Sequence, residues 1–333
     1  EEGFALENKA GLPLDAPGRN YRDANHKPEL IVALSDFYGL RGFRRPSEVA
    51  RQIQAVHQLL ELAPDFRSTS ESLQALYVKL MSLPQESIDV LLTPLVEQLA
   101  EENLRKPFTK ADREFWILRA DQSCSPRGHR DRGLFSFYLL NLVHLRPGDG
   151  MYLPAGILHA YLEGAGVELM ANSNNVFRGG LTPKRIDVPE LLRNVTFEGA
   201  DAEIIYPNRL AETQEWVYPT PAAEFELSRI ELDEHRPYVC RSEHSVEIFI
   251  LLSAPAEKPV TVQAGTETRT IERGQVFLVP HSTAYQLSAC GPAILFKAAV
   301  PLAARVASEL GVAKEPLVFR GRKPASLAFG TSG

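Results

Sequence analysis

The sequence has few cysteines and no long apolar segment. Cys124, Cys240 and Cys290 stand far apart among 333 residues, and no CxxC pair occurs. We therefore expect reduced thiols, with no thiolate zinc site and no catalytic cysteine. The longest apolar runs, such as residues 246–252, are far shorter than the roughly 20 residues needed to span a bilayer, which argues against a membrane protein.

The chain also has no excess of positive charge. Its formal net charge is −6, which argues against a nucleic-acid-binding surface. Any anionic ligand must then be bound by a local cluster of basic residues. No segment at the N-terminus has the pattern of a signal peptide, so we predict a cytoplasmic protein without membrane or nucleic-acid partners.

Two kinds of sequence pattern alternate along the chain. Between residues 46 and 105 apolar residues recur at helical spacing, as in "PSEVARQIQAVHQLLELA" and "SESLQALYVKLMSLP", which predicts amphipathic helices. After Arg119 short strand-like runs follow, separated by proline, glycine and asparagine, and a second such region runs from Phe225 to Val300. This is typical of antiparallel β-sandwiches or barrels, with one short helix near 187–195 and another beyond Pro301.

A short repeat links the two β regions. Aligning "GDGMYLPAGILHAY" (148–161) with "GQVFLVPHSTAY" (274–285) places Gly148 over Gly274, Pro154 over Pro280 and His159 over Tyr285. We interpret the repeat as one β-hairpin used twice. Because the second copy has no imidazole at the matching position, we expect it to be structural.

His159 on its own leaves two interpretations open. It is either a metal ligand or a polar residue at a strand end whose ring bonds a backbone carbonyl. The segment "YRDANHKPEL" (21–30) adds candidates, since alternation in an extended chain places Lys27 and Glu29 on one face. A solvated turn capped by Asp23 and Asn25 is the alternative for that segment.

A third polar cluster surrounds "RGGLTPK" (178–184). Glu168 and several asparagines precede it, and it contains Arg178 and Lys184, which are suited to binding a phosphate. The two glycines after Arg178 permit unusual backbone geometry or a close approach of substrate.

These segments together resemble the type I mannose-6-phosphate isomerases, zinc enzymes of the cupin superfamily. The likeness rests on "NYRDANHKPEL", "LLNLVHLRPGDGMYLPAGILHAYLEG" and "ELMANSNNVFRGGLTPKRIDVPELL", and it extends over roughly residues 1–300. The resemblance implies two cupin-like antiparallel β-sandwich or jelly-roll domains with an α-helical insertion. It also implies interconversion of mannose 6-phosphate and fructose 6-phosphate through an enediol, with one Zn²⁺ per subunit.

The resemblance also assigns residue roles. It implies that Glu29 and His159 bind zinc and that Arg178 is catalytic. Matching pocket positions make up the rest of the expected site: Lys27, Tyr161, Glu168 and Lys184. Glu168 is a candidate base, and Lys27 and Lys184 are candidates for binding phosphate or relaying a proton.

The chain departs from the family pattern in two places. Asn174 stands where the family usually has aspartate, which removes one negative charge from the edge of the pocket. The family's other two zinc ligands, a Gln-x-His pair, would precede Glu29, and no such pair occurs there. Since protein zinc sites normally have at least three ligands, we expect further chain ahead of Glu1.

The expected domain organisation follows from these patterns. A catalytic β domain is predicted at 1–45 and 106–220, a helical insertion at 46–105, a second β domain without metal at 221–300, and a tail at 301–333. We expect a monomer that acts on a phosphosugar. The alternatives are a non-catalytic sugar-phosphate-binding cupin protein, suggested by the missing ligands, and an iron oxygenase, which would need a second histidine near His159.

Overall fold

The computed structural model describes residues 1–125, 128–182, 184, 186–240, 243–255 and 259–301. The helix expected beyond Pro301 and the basic tail lie outside these residues. The described part contains eight α-helices, and none of them is both long and apolar enough to cross a membrane. The helices are α1 (Glu2–Lys9), α2 (Pro46–Ala55), α3 (His57–Leu62), α4 (Ser70–Ser82), α5 (Gln85–Arg105), α6 (Arg113–Cys124), α7 (Ser136–Leu139) and α8 (Val188–Asn194).

Sixteen strands are found in the described residues, and their pairing is antiparallel throughout. Those of the first half are β1 (Glu29–Ala33), β2 (Phe37–Phe43), β3 (Leu140–Leu145), β4 (Gly150–Leu153), β5 (His159–Glu163) and β6 (Gly166–Met170). Those of the second half are β7 (Asn208–Arg209), β8 (Glu215–Tyr218), β9 (Glu226–Leu232), β10 (Tyr238–Cys240), β11 (Glu247–Ser253), β12 (Val260–Ala264), β13 (Glu267–Ile271), β14 (Val276–Val279), β15 (Tyr285–Ala289) and β16 (Ala293–Ala299).

The N-terminal β unit, as we call β1–β6, consists of two three-stranded sheets. One has the order β4-β1-β6 and the other β3-β2-β5. Apolar side chains from both sheets, among them Ile31, Phe37, Leu145 and Met151, form a shared core. Burial of this apolar surface stabilises the N-terminal β unit and fixes the positions of β1 and β2.

The predicted helices lie against the second of these sheets. Helices α2–α5 confirm the periodicity of residues 46–105, and their buried faces form one core with Leu40, Phe43 and the helical segment around residues 134–139. Helix α6 was not predicted, because its charged residues mask any clear apolar period. The apolar run from Leu134 was expected to be a strand, yet a 3₁₀ turn (Arg132–Phe135) and α7 precede β3.

The C-terminal β unit, β7–β16, consists of a six-stranded and a four-stranded sheet. Their orders are β14-β11-β16-β9-β8-β7 and β10-β15-β12-β13. The expected β region from 225 to 300 is confirmed, and β7 and β8 extend its larger sheet toward the N-terminus. A further core, including Leu30, Val32, Leu227 and Phe296, joins this sheet to the N-terminal β unit.

The repeat found in the sequence is present in the structure, but its interpretation as a hairpin is wrong. Strand β4 pairs with β1, whereas the following β5 pairs with β2 in the other sheet. Strands β14 and β15 are likewise divided between the two sheets of their unit. Pro154 and Pro280 each follow the first strand, and because proline has no N–H to donate, pairing ends there and the chain crosses to the opposite sheet.

Candidate functional site

The two polar segments predicted to lie together are joined by the side chain of Asn175. Its Oδ1 accepts the backbone N–H of Arg22 at 2.7 Å, and its Nδ2 donates to the carbonyl oxygens of Asp23 at 3.0 Å and Asn25 at 3.1 Å. The turn ahead of β1 is therefore held against the segment after β6. Neither segment alone forms a complete site.

Glu29 and His159 are brought together at the starts of β1 and β5. The Glu29 side chain is 9% exposed, and its Oε2 lies 3.7 Å from Nε2 of His159. His159 Nδ1 lies 3.0 Å from the carbonyl oxygen of Ile157, so the δ nitrogen donates and Nε2 keeps its lone pair toward Glu29. A separation of 3.7 Å is too long for a hydrogen bond, which leaves both atoms available to a shared cation.

Lys27 lies on the same face as Glu29, as alternation predicted. Its Nζ is 3.1 Å from Oε1 of Glu29, so the ammonium binds the carboxylate oxygen that does not face His159. This ion pair orients the carboxylate. The solvated-turn alternative is not what the structure shows for Lys27 and Glu29, although Asp23 does accept the backbone N–H of Asn25 at 3.0 Å.

Tyr161 and Glu168 form a second pair beside Glu29. The Tyr161 hydroxyl donates to Oε1 of Glu168 at 2.7 Å. Burial, together with the nearby carboxylate of Glu29, raises the pKa of Glu168 above its ordinary value, although the Tyr161 hydrogen bond opposes the shift. Desolvation and Glu168 in turn raise the pKa of Tyr161. Glu29 and Glu168 together carry more negative charge than the Lys27 ammonium balances.

A cavity of about 520 Å³ opens over the Glu29–His159 pair. Lys27, Glu29, His159, Asn175 and Arg178 all line it, which brings the expected ligands and the expected catalytic arginine together. Neither Tyr161 nor Glu168 is among its lining residues. The Tyr161 ring packs beside the ring of His159, which does line the cavity, with 5.7 Å between their centroids.

A second, smaller cavity of about 310 Å³ adjoins the first at Arg178, which lines both. Its lining includes Lys184, Arg22 and Arg19, so it is strongly basic. Lys184 was predicted from the sequence to bind substrate. Arg22 was not predicted, because its position within the Tyr21–Asp23 turn gave no separate signal. The Arg19 guanidinium is taken up by Asn8 and the Tyr21 carbonyl, and that of Arg22 donates to the carbonyl oxygens of Leu14 and Ala16, so both side chains have a structural role.

Asn174 also lines the smaller cavity, and its backbone N–H donates to Oδ2 of Asp23 at 2.8 Å. Although burial opposes ionisation, hydrogen bonds from Asn174, Ser173 and Asn25 lower the pKa of Asp23. An ionised carboxylate therefore lies beside the position where the family pattern has aspartate.

The arginine loop, residues 178–181, is held by close backbone packing. Gly180 has φ of +127°, and an added Cβ would lie 2.5 Å from the Gly133 Cα. The Asp131 carboxylate accepts the backbone N–H of Gly133 and, at 2.9 Å, that of Leu181. The glycines thus serve the backbone geometry that fixes Arg178.

One set of three converging side chains of metal-binding type occurs among the described residues, and it lies in the C-terminal β unit. Ligand atoms of Cys240, His244 and Glu247 are within 4.8 Å of one another. This cluster was not predicted from the sequence. The second copy of the repeat has Tyr285 in place of histidine, and the three cluster residues lie well before that copy in the chain.

The fold and the site together define a class of protein: an antiparallel β protein with a helical insertion, carrying a carboxylate–imidazole pair next to a basic pocket. Residues 7–46 match the family model for the catalytic domain of phosphomannose isomerase type I. The chain is 36% identical over 278 residues to the mannose-6-phosphate isomerase of Escherichia coli (strain K12), which covers 83% of this chain and 66% of that protein. The human mannose-6-phosphate isomerase is 32% identical over 242 residues, covering 66% and 55%.

Solved structures agree with the sequence relatives. The mannose 6-phosphate isomerase from Salmonella typhimurium bound to its substrate, fructose 6-phosphate, and to zinc superimposes with a TM-score of 0.74 at 31% identity, covering 90% of this chain and 72% of that one. A mannose 6-phosphate isomerase bound with zinc and yttrium gives 0.74 at 31%, covering 90% and 73%. The chain belongs to the type I phosphomannose isomerase family, and it spans about two thirds of the length of the bacterial curated relatives.

Proposed function

We propose that this protein is a zinc-dependent isomerase that interconverts mannose 6-phosphate and fructose 6-phosphate. The observation that supports this most directly is the convergence of Glu29, His159 and Arg178 on one cavity. A relative of 31% identity carries fructose 6-phosphate and zinc, which gives the proposal its substrate and metal. The alternative of a non-catalytic sugar-phosphate-binding protein is not favoured by these relatives.

Glu29 and His159 would hold the zinc ion. A carboxylate oxygen and a neutral imidazole nitrogen are ordinary zinc donors, and the 3.7 Å separation leaves both lone pairs unused. The negative charge shared by Glu29 and Glu168 also favours a cation there. When bound, zinc supplies a Lewis acid that polarises the substrate oxygens.

Arg178 would stabilise the negative charge that develops as a proton moves between C1 and C2. Because it lines both cavities, its guanidinium would lie between the carbonyl end of the sugar and its phosphate. Lys27 holds Glu29 in position. Glu168, the candidate base named from the sequence, does not line the cavity, so in this proposal it sets the charge beside Glu29 and does not itself abstract the substrate proton.

The smaller cavity would take the phosphate. Lys184 and Arg178 line it beside the backbone-bonded Arg22, and several cations around one pocket match a dianion better than the neutral sugar. The open-chain sugar would then extend from this basic pocket toward Glu29 and His159. Lys184 is thus assigned to phosphate binding instead of proton relay.

Several finer features of the protein belong to the same proposal. The strand that begins with Glu29 and the strand that begins with Glu247 pair with their neighbours in the same way. This correspondence supports two cupin-like jelly-roll units, the second without metal. The sequence predicts a catalytic domain at 1–45 and 106–220, an insertion at 46–105, a second domain at 221–300 and a tail at 301–333. The pairing of β8 with β9 favours moving the boundary between the two β domains ahead of Asn208. The protein would act as a cytoplasmic monomer.

The test is an isomerase assay on mannose 6-phosphate with the natural protein, whose intact mass fixes its N-terminus. We expect turnover that a chelator abolishes and added Zn²⁺ restores. Natural protein that holds one equivalent of zinc and shows no turnover would contradict the proposal.

A further inference from the structure

A buried ionic cluster lies inside the C-terminal β unit, remote from both cavities. The Lys297 Nζ is 2.6 Å from Oε1 of Glu215 and 3.1 Å from Oε1 of Glu247, and all three side chains are at most 7% exposed. The hydroxyls of Tyr238 and Tyr285 donate to the remaining oxygens of Glu215 and Glu247, each at 2.6 Å. Charge at this depth is costly unless it is fully paired.

Strand pairing shows that this cluster occupies the same place in its unit as the Glu29 site does in the other. Glu29 lies opposite Leu153, which precedes Pro154, and Glu247 lies opposite Val279, which precedes Pro280. The repeat then matches Tyr285 with His159.

The third strand extends the correspondence and reveals a reversal of charge. Ile31, two residues after Glu29, lies opposite Glu168. Phe249, two residues after Glu247, lies opposite Lys297. Where the N-terminal β unit has a second carboxylate beside the first, the C-terminal β unit therefore has an ammonium group.

The two centres thus differ in where their cation comes from. In the N-terminal β unit the ammonium beside the first carboxylate is that of Lys27, which precedes β1 and lies outside the sheets. In the C-terminal β unit burial by itself would lower the pKa of Lys297, but Tyr238, Glu215 and Glu247 reverse the effect and leave it raised, so the ammonium stays charged. There the ammonium lies within 3.1 Å of one oxygen of each buried carboxylate.

We propose that the Lys297 ammonium is the built-in cation of a second metal-type site, and that without it a divalent ion would bind among Cys240, His244 and Glu247. With Lys297 in place the C-terminal β unit takes no metal. Removal of the ammonium converts it into a thiolate–carboxylate site for a divalent transition metal such as Zn²⁺ or Co²⁺.

The donors needed for such a site are already close. Ligand atoms of Cys240, His244 and Glu247 lie within 4.8 Å of one another. In the wild-type protein these donors are engaged: Glu247 binds Lys297, and the His244 ring nitrogens face the carbonyl oxygens of Ser245 at 2.5 Å and Thr283 at 2.6 Å. Carboxylate, thiolate and imidazole together suit a borderline metal once the ammonium is gone.

The test is titration of metal-free Lys297→Ala protein with Co²⁺, followed by absorption. We expect one additional equivalent of Co²⁺ per chain and a thiolate-to-cobalt charge-transfer band in the near ultraviolet. Glu29 and His159 include no sulfur, so the band reports the C-terminal β unit alone and is independent of the proposed isomerase activity. The wild-type protein should bind no such extra equivalent and show no such band.

Two controls keep each outcome decisive. The Lys297→Ala/Cys240→Ser double variant should lose the band. A folded Lys297→Ala protein without the band would overturn the proposal, and so would a band in the wild-type protein. Should Lys297→Ala be unfolded when metal-free, Zn²⁺ should restore its circular dichroism and melting transition, but not those of the double variant. Failure of Zn²⁺ to restore folding would equally overturn it.

Discussion

The Arg178 guanidinium contributes at the boundary between the two cavities, where the reacting carbons and the phosphate would meet. The residue is partly buried, and its position is set by the glycines that follow it. Its planar group can contact an oxyanion on one side and phosphate oxygens on the other. No other arginine lines both cavities among the residues described.

Arg178→Ala should lower kcat by about 10²–10³-fold, the usual cost of removing one group that stabilises a developing oxyanion. Zinc content, measured by atomic absorption, should not change, because Arg178 does not contact Glu29 or His159 in the proposed site. The exposed Arg193, which pairs with Glu190 at 3.2 Å, provides the matched control, Arg193→Ala. A variant at Arg178 with wild-type kcat would remove this residue from the mechanism.

Glu168→Gln tests the charge of the metal site through stability. Since folding raises the pKa of Glu168, the folded state binds a proton more tightly than the unfolded state, and stability falls as pH rises from the ordinary value of 4.5 through the raised one. In metal-free protein Glu168→Gln should therefore raise Tm at about pH 7, and the gain should vanish below pH 4.5. The exposed Glu198, changed to Gln, serves as control; equal effects of both variants would contradict the coupling with Glu29.

At the scale of elements, the arginine loop shows how the helical region reaches the site. Asp131 bonds the backbone of both Gly133 and Leu181, so the turn ahead of α7 and the loop that carries Arg178 move together. The Gly180–Gly133 contact therefore sets the position of Arg178, and Gly180 also lines the larger cavity with its backbone.

Gly180→Ala should lower kcat/KM for mannose 6-phosphate, because its Cβ would lie 2.5 Å from the Gly133 Cα and the loop would have to shift. Gly265→Ala is the matched control: Gly265 also has a positive φ, of +59°, but nothing lies within 4 Å of the added Cβ. Both variants carry backbone strain, yet only the first should affect turnover. Equal losses of activity in the two would show that the close packing is irrelevant.

Local sequence patterns predicted the elements whose signal is periodic or flanked by turn residues. Helices α2–α5 and α8 and strands β4–β6 fall in this group, as do the two segments that meet at Glu29 and Arg178. The division of β4 and β5 between two sheets could not be predicted, because a strand followed by a turn and another strand has the same local pattern in a hairpin and in a crossover.

The buried cluster around Lys297 escaped prediction for a different reason. Its charged residues come from β8, β11 and β16, and each of them interrupts an otherwise ordinary strand pattern. A single charge in a strand normally points to solvent, so nothing local indicates that three such side chains share one interior. Arg22 was missed similarly, since its role depends on a cavity formed with residues 174–187.

At the scale of the whole molecule, two related β units are joined through an apolar interface and have different roles. The N-terminal β unit carries the site, while the C-terminal β unit covers the outer face of β1 through Leu30 and Val32. Because β1 begins with Glu29, packing against the C-terminal β unit fixes the strand that presents the proposed metal ligand. The site depends on both units even though its residues come from one.

The central claim, that Glu29 and His159 hold the zinc of an isomerase, is tested most directly by His159→Ala in the natural protein. Zinc content and mannose 6-phosphate turnover should fall together. The control is His144→Ala, since His144 lies exposed on β3, 2.8 Å from Asp36 and away from both cavities, and it should retain zinc and activity. Full zinc content with normal turnover in His159→Ala would contradict the account.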